Sequence, residues 1–182
     1  FLMPGISNGE AGSLVASMDK TFQSDLARRS GILTPKEWII SLNVNEVEIP
    51  QDMVYPCFVK PMESVNGYKR EMAVCRGKKE LYTHLTQLKR RNRMRDILVQ
   101  EYLKIEREID LSGICIDQNI IIPAIIRKTR VAKYEKGVTL SGMLYPFEDM
   151  EPYCAQIIDM MQQFHYIGMF DMEFIVANGE IY

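Results

Sequence analysis

Residues 119–127 read Asn-Ile-Ile-Ile-Pro-Ala-Ile-Ile-Arg, and this apolar run constrains the fold more than any other segment. A short continuous apolar run is typical of a strand that is buried inside a sheet. We therefore expect a central strand here. Residues 128–133 either continue that strand or begin another one.

Further strands are predicted where short apolar runs lie between prolines, because proline interrupts both helices and the hydrogen-bond ladders between β-strands. Prolines 35, 50, 56 and 61 bound two of these runs. A polar loop at 62–69 precedes a strand that we expect to return antiparallel, and residues 108–116 alternate as a half-buried strand. The predicted strands are 38–40, 57–59, 71–76, 97–102, 108–116 and 170–176.

Three helices are predicted from capping residues and from apolar side chains at helical spacing. Asp19 is a suitable N-cap for a helix through Arg29, which Gly31 would end. The second helix runs from Lys79 to about Asn92 on a leucine stripe. The third begins at Glu151-Pro152, follows the loop 137–146, and would end at Gly168. Its expected buried stripe is Tyr153, Ile157, Met160, Met161 and Phe164. This order of helices and strands favours an α+β fold over a doubly wound sheet.

Composition indicates an ordinary globular chain with no strong electrostatic preference for a partner. The 182 residues are 47% hydrophobic and 25% charged, with a formal net charge of −2. We therefore expect no binding to nucleic acid or to a membrane. The basic cluster after residue 88 suits the solvated C-terminus of a helix. Four separated cysteines among apolar neighbours predict reduced core thiols of a cytoplasmic protein.

Charged residues at strand positions are the candidate functional groups, since the sequence has neither a defensible Ser-His-Asp set nor a Walker-type phosphate loop. Lys60 ends an apolar strand, where it either extends to solvent or contacts a phosphate. Gln100 and Glu101 end another strand. Asp171 and Glu173 alternate on the last strand, so both point to one face. Two carboxylates on one face need a partner, and a hard cation is a natural one.

Four segments carry motifs in a fixed order along the chain. Ser-Met-Asp-Lys at 17–20 is followed by Gly-Ile-Leu-Thr-Pro at 31–35, and Tyr-Pro-Cys-Phe-Val-Lys-Pro occupies 55–61. Ile-Leu-Val-Gln-Glu-Tyr-Leu occupies 97–103. Gly-Met-Phe-Asp-Met-Glu-Phe at 168–174 is followed by Asn-Gly-Glu-Ile-Tyr at 178–182.

These segments resemble, in order and spacing, the motifs of the ATP-grasp superfamily, nearest to its carbamoyl-phosphate-synthase-like and biotin-carboxylase-like branch. The resemblance runs from about residue 17 to residue 182. It implies an α+β ATP-grasp fold with a small lid subdomain and a partial, larger antiparallel-sheet subdomain. We expect a linker and helix at 1–32, the lid at 33–103, and the partial C-terminal subdomain at 104–182.

The resemblance implies that ATP lies between the two subdomains. Lys20 and Lys60 would contact the α- and β-phosphates. Gln100 would bind the adenine amino group, and the main chain of Glu101 and Leu103 would also read the ring. The loop 62–69 would close over the triphosphate, although it has one glycine where relatives often have several.

The resemblance also implies a ribose contact and a Mg²⁺ site. Glu108 would hold the ribose, and Glu173 would take Mg²⁺ with Asp171 close by. A cation on the apolar strand would stabilise charge on the transferred phosphoryl group. The residues considered for that role are Arg127, Lys128 and Arg130, with Arg127 and Arg130 as the predicted catalytic residues.

The implied function of the parent protein is that of an ATP-dependent ligase, which activates a small-molecule carboxylate as an acyl phosphate for attack by an amine or similar nucleophile. The family's second metal carboxylate and an Asn normally follow on the strand after the Gly-Glu-Ile-Tyr segment at 179–182, and a substrate-binding domain usually precedes the Asp-Lys segment at 19–20. We therefore expect this chain to be a fragment that lacks both parts and is inactive alone. The alternatives are a non-catalytic binding module of the same fold, a phosphotransferase of that fold, and an unrelated α+β domain.

Overall fold

The computed structural model describes residues 19–62, 71–91, 96–116, 119–131 and 139–182. Predictions for residues 1–18, for the loop after Met62, and for 92–95 and 132–138 fall outside these ranges. The chain divides into two compact units. The small unit is Pro35–Leu103, and the large unit comprises the described residues up to Thr34 together with Lys104–Tyr182.

The small unit is a four-stranded antiparallel sheet with one helix. Its elements are β1 (Glu37–Ser41), β2 (Cys57–Pro61), β3 (Ala73–Cys75), α2 (Lys78–Arg90) and β4 (Asp96–Glu101). The strand order is β1-β4-β2-β3. Leu81, Leu85 and Leu88 of α2 are buried in one cluster with the inward side chains of the strands, so the helix covers one face of the sheet.

The large unit is a five-stranded antiparallel sheet with two helices. Its elements are α1 (Lys20–Arg29), β5 (Arg107–Ile116), β6 (Asn119–Val131), β7 (Thr139–Leu144), a 3-10 turn (Phe147–Asp149), α3 (Glu151–Gln163), β8 (Gly168–Ala177) and β9 (Glu180–Ile181). The strand order is β7-β6-β5-β8-β9. The core packs α1 and α3 on one face of this sheet, with Leu26, Ile157 and Met161 against Ile109 and Phe174.

The cap of helix α1, the glycine that follows this helix and the turn between β8 and β9 are all found where the sequence predicts them. The Asp19 carboxylate accepts hydrogen bonds from the amides of Thr21 (2.8 Å) and Phe22 (3.1 Å), and thereby caps α1. Gly31 follows the helix at a positive φ of 78°. Asn178 and Gly179 also have positive φ values, 54° and 79°. Two such residues form the tight turn that joins β8 to β9.

The run at 119–127 is interior to the sheet, as predicted, since β6 lies between β7 and β5. Only one of its faces is buried, because Ile125 is buried whereas Ile121 is 58% exposed. The described helices cover only the face toward which Ile125 points. Two other predictions about the large unit are wrong. The expected loop 137–146 contains the strand β7, which pairs with β6. Helix α3 ends at Gln163, and Gly168 begins β8 instead of ending the helix.

No helix in the described ranges is long and apolar enough to span a bilayer. The α+β prediction is confirmed, since both sheets are antiparallel and the helices do not alternate with parallel strands.

The four cysteines are free thiols, and three of them are buried. Cys57 and Cys75 lie opposite each other on β2 and β3. Burial, together with the neighbouring Cys75, raises the pKa of Cys57 from 9.0 to about 11. Since the thiolate is the reactive species and Cys57 has about 100-fold less thiolate at pH 8 than a thiol with the ordinary pKa, Cys57 should react more slowly than such a thiol.

We expect one of the four thiols, the half-buried Cys154, to react first with a disulfide reagent at pH 8. The buried three should react only when urea unfolds the chain. Absorbance during titration with Ellman's reagent measures this, and Cys154→Ser should remove the early phase. Rapid reaction of two or more thiols in the folded protein would contradict the prediction.

Candidate functional site

In the small unit, Lys60 and Gln100 lie on the sheet face that α2 does not cover. Lys60 pairs with Leu98, and Gln100 pairs with both Phe58 and Glu37. Since directly opposed residues share a face and alternate residues return to it, these side chains point the same way. The Gln100 side chain is buried and donates a hydrogen bond to the Glu37 carboxylate at 3.2 Å.

The chain just after β4 is held by hydrogen bonds from neighbouring segments. The Glu101 carboxylate accepts from the Lys36 amide at 2.9 Å, and the Glu101 amide donates to the Lys36 carbonyl at 2.9 Å. The Tyr102 amide donates to the Pro56 carbonyl at 3.0 Å. Among the described residues, the Leu103 amide has no acceptor. A fixed backbone whose amide N–H has no partner within the described residues can donate a hydrogen bond to an acceptor at the edge of a planar ring.

In the large unit, four carboxylates share the sheet face opposite to the helices. Asp110 on β5 is directly opposed to Glu173 on β8, and Ser112 is opposed to Asp171. The Ser112 hydroxyl donates to the Asp171 carboxylate at 2.8 Å. Glu108 precedes Asp110 by two residues and therefore joins the same face.

The Lys128 ammonium of β6 lies among three of these carboxylates. Its Nζ atom is 2.5 Å from Glu173 Oε1, 3.1 Å from Asp110 Oδ1 and 3.7 Å from Glu108 Oε2. The Lys128 side chain is 4% exposed, whereas that of Glu173 is 65% exposed. The ammonium is thus enclosed, but one of its partners remains accessible to solvent.

The ionisation of this cluster is set by a competition between burial and ion pairing. Burial is the largest single influence on the pKa of Lys128 and would lower it, but hydrogen bonds and Coulombic attraction to Glu173 and Asp110 together outweigh burial, and the pKa is raised. Burial raises the pKa of Asp110 and outweighs the lowering by Lys128. The lysine is therefore cationic, and burial disfavours the anionic form of Asp110.

The other predicted cations lie elsewhere in the large unit. Arg127 pairs with Ile109, which belongs to the buried core, so it points to the face opposite to Lys128. Arg130 is exposed near the end of β6. Lys20 is the first residue of α1, beside the Asp19 cap.

The donor set on the carboxylate face fits Mg²⁺ in its chemistry, since hard cations take carboxylate oxygens. Asp110 Oδ1 is buried and, within the described residues, has no hydrogen-bond partner of regular geometry despite its 3.1 Å contact with Lys128. Across the same described ranges, no three acidic, histidine or cysteine groups converge tightly enough to hold a metal ion. The oxygens are therefore present on one face without forming a closed cage.

Two residues of this cluster were not assigned from the sequence. Asp110 alternates with Glu108 as Asp171 does with Glu173, and this spacing was the available signal. Lys128 was one of three cations on β6 that the sequence left undecided. The strand register, which brings Lys128 beside Glu108, has no signature in the sequence itself.

Comparisons with known proteins identify the fold. No family model matches the chain. The carbamoyl phosphate synthase large chain of Lachnoclostridium phytofermentans is 22% identical over 177 residues, which are 94% of this chain and 16% of that protein.

Two solved structures are similar over nearly the whole chain. The biotin carboxylase domain of Hydrogenobacter thermophilus 2-oxoglutarate carboxylase, in complex with MgADP, ADP and bicarbonate, has a TM-score of 0.68 at 17% identity, covering 91% of this chain and 38% of its own. The D-alanine–D-alanine ligase of Bacillus anthracis, complexed with ATP, has a TM-score of 0.66 at 19% identity. The match covers 94% of this chain and 55% of the ligase chain. The chain thus spans less than two thirds of each relative.

Proposed function

We propose, from the ATP-grasp fold that this chain has, that it is the ATP- and Mg²⁺-binding part of a ligase. The parent ligase would activate a carboxylate as an acyl phosphate for attack by an amine or a similar nucleophile. The observation that carries the proposal is the carboxylate face of the large unit, which Glu108 shares with Asp171 and Glu173 of the motif at 168–174. The names of the relatives, a synthase, a carboxylase and a ligase, agree with this class.

Nucleotide recognition is assigned to residues of both units. Lys60 would contact phosphate from the sheet face that α2 does not cover, and Lys20 would do so from the first turn of α1. Gln100 would bind the adenine amino group after exchanging its contact with Glu37. The backbone of Glu101 and Leu103 would read the ring edge, which the open amide of Leu103 supports. We assign 33–103 as the lid and 104–182 as the partial C-terminal subdomain, and the bounds of the small unit, Pro35–Leu103, support the first assignment.

The metal and the ribose are assigned to the carboxylate face of the large unit. Glu173 and Asp171 would hold Mg²⁺, and Glu108 would hold the ribose. When bound, Mg²⁺ neutralises phosphate charge and orients the transferring group. The MgADP complex of the related carboxylase domain supports this assignment.

Stabilisation of the transferring phosphoryl group by Arg127 and Arg130 stays a prediction. Arg130 extends from the exposed end of β6, which is compatible with that role. Arg127 starts from the helix-covered face and would need to reach around the strand. A cytoplasmic location and a small-molecule carboxylate as partner also stay predictions.

Lys60→Ala should weaken the binding of ADP or ATP-γ-S in the presence of Mg²⁺ by about tenfold or more, equivalent to about 1.4 kcal/mol. The reason is that the substitution removes a cation that we assign to the phosphates. Isothermal titration calorimetry on parent and variant measures the difference. Lys79→Ala is the matched control, because it removes the same charge from an exposed position on α2.

Equal affinities for the parent and Lys60→Ala would contradict the phosphate assignment. If a longer version of the protein with the following strand also bound no nucleotide, the non-catalytic module would be favoured over the ligase. Substrate screening of that longer protein separates a ligase from a phosphotransferase of the same fold.

A further inference from the structure

The carboxylate face of the large unit carries more negative charge than its one enclosed cation can balance. Glu108, Asp110 and Glu173 surround the Lys128 ammonium, and Asp171 lies two residues before Glu173. Carboxylates gathered around one ammonium repel one another, and burial at Asp110 makes this repulsion more costly. The Lys128 ammonium offsets it while no other cation occupies the face.

Lys128 takes the position that an incoming cation would need. Its Nζ atom is within 3.7 Å of oxygen atoms from three different carboxylates on β5 and β8. With the ammonium in place, the described residues do not form a three-ligand metal site here or elsewhere. The ammonium and a divalent cation cannot share that space.

We propose that the Lys128 ammonium is the built-in counter-ion of the carboxylates Glu108, Asp110 and Glu173, and that a divalent cation binding at Glu173 must displace it. The inference rests on the proposed function, because it concerns the same metal site. Lys128 is thus a positioning residue: it keeps the carboxylates together without the metal and opposes binding of the metal alone.

The side chains of the cluster suit such an exchange. A lysine carries its charge on a flexible four-carbon stem, so the ammonium can withdraw without movement of β6. Glu173 is 65% exposed and offers an accessible oxygen from which exchange can start. Asp110 is more enclosed, and its Oδ1 atom contacts the ammonium at 3.1 Å, so this oxygen becomes available to a new cation once the ammonium withdraws.

Titration of Mg²⁺ alone, without nucleotide, tests the inference on the parent chain, Lys128→Met and Lys128→Arg. We expect the Mg²⁺ dissociation constant of Lys128→Met to be at least about tenfold lower than that of the parent, because cation affinity follows the net charge of the site. Lys128→Arg keeps the positive charge and should bind Mg²⁺ as weakly as the parent. Calorimetry measures all three.

Urea unfolding gives a second readout. Without divalent ions, Lys128→Met should unfold at lower urea than the parent, and Mg²⁺ should restore its midpoint by binding the folded state. If Lys128→Met does not fold in either buffer, the double variant Asp110→Asn/Lys128→Met, with one carboxylate neutralised, takes its place. That variant should fold without Mg²⁺ and should still bind Mg²⁺ more tightly than Asp110→Asn.

Two results would overturn the inference. One is a Lys128→Met chain as stable as the parent without divalent ions. The other is a destabilised Lys128→Met chain with unchanged Mg²⁺ affinity, which would make the cluster a purely structural ion pair. Both are distinct from failure of the proposed function, since neither experiment contains nucleotide and the Lys60→Ala comparison requires it.

Discussion

Phe174→Ala should lower the free energy of unfolding by about 3–5 kcal/mol, the usual cost of truncating a buried aromatic side chain. Phe174 is 5% exposed on β8 and belongs to the cluster that joins the sheet of the large unit to α1 and α3. Its removal forfeits the buried contacts and leaves a cavity that the surrounding side chains fill only in part. Urea denaturation followed by circular dichroism measures the change.

The control for Phe174→Ala is Met169→Ala on the same strand. Met169 is 57% exposed, so its truncation should cost less than about 1 kcal/mol. A loss below about 1 kcal/mol for Phe174→Ala as well would mean that the helix-covered face of β8 is not the core of the large unit.

The strands could be predicted from the sequence wherever proline or glycine bounds a short apolar run. The run predicted at 57–59, between Pro56 and Pro61, is the strand Cys57–Pro61. Its ends are set by local backbone chemistry, which the sequence contains. Helix α1 is a similar case, because Asp19 and Gly31 mark its two ends.

Strand β7 could not be predicted in this way. Thr139–Leu144 contains a serine and a glycine, and none of its side chains is buried. Its place in the sheet is decided by pairing with β6, a non-local interaction. The same reason explains why the apolar run at 119–127 indicates an interior strand but not which of its faces is buried, since whether a second layer covers a face depends on the rest of the fold.

The candidate site shows the same division between local and non-local information. Alternation along β8 predicts that Asp171 and Glu173 share a face, and the pairing of Asp110 and Ser112 with them agrees. Which cation lies opposite depends on the register of β5 with β6, and a shift of one residue would have brought Arg127 to the carboxylates in place of Lys128. Sequence alone therefore indicates a polar face but not the ion at its centre.

Glu173→Gln should abolish most of the gain in nucleotide affinity that Mg²⁺ provides, with a loss of about 10–100-fold for ADP in the presence of Mg²⁺. The amide keeps the size of the side chain but removes a charge that a hard cation requires. Folding should change by less than about 1 kcal/mol, because the Glu173 side chain is 65% exposed and accessible ion pairs contribute little. Calorimetric titrations of ADP with and without Mg²⁺ separate the metal-dependent part of the affinity.

Glu180→Gln is the matched control for Glu173→Gln, since Glu180 is an exposed carboxylate on the neighbouring strand β9. It should leave the Mg²⁺ dependence of ADP binding unchanged. Because Glu173 and Phe174 are adjacent but point to opposite faces, their two variants should separate cleanly: one loses metal-dependent affinity at nearly full stability, and the other loses stability. A Glu173→Gln chain with the Mg²⁺ dependence of the parent would place the metal elsewhere and remove the main support for a ligase site on this face.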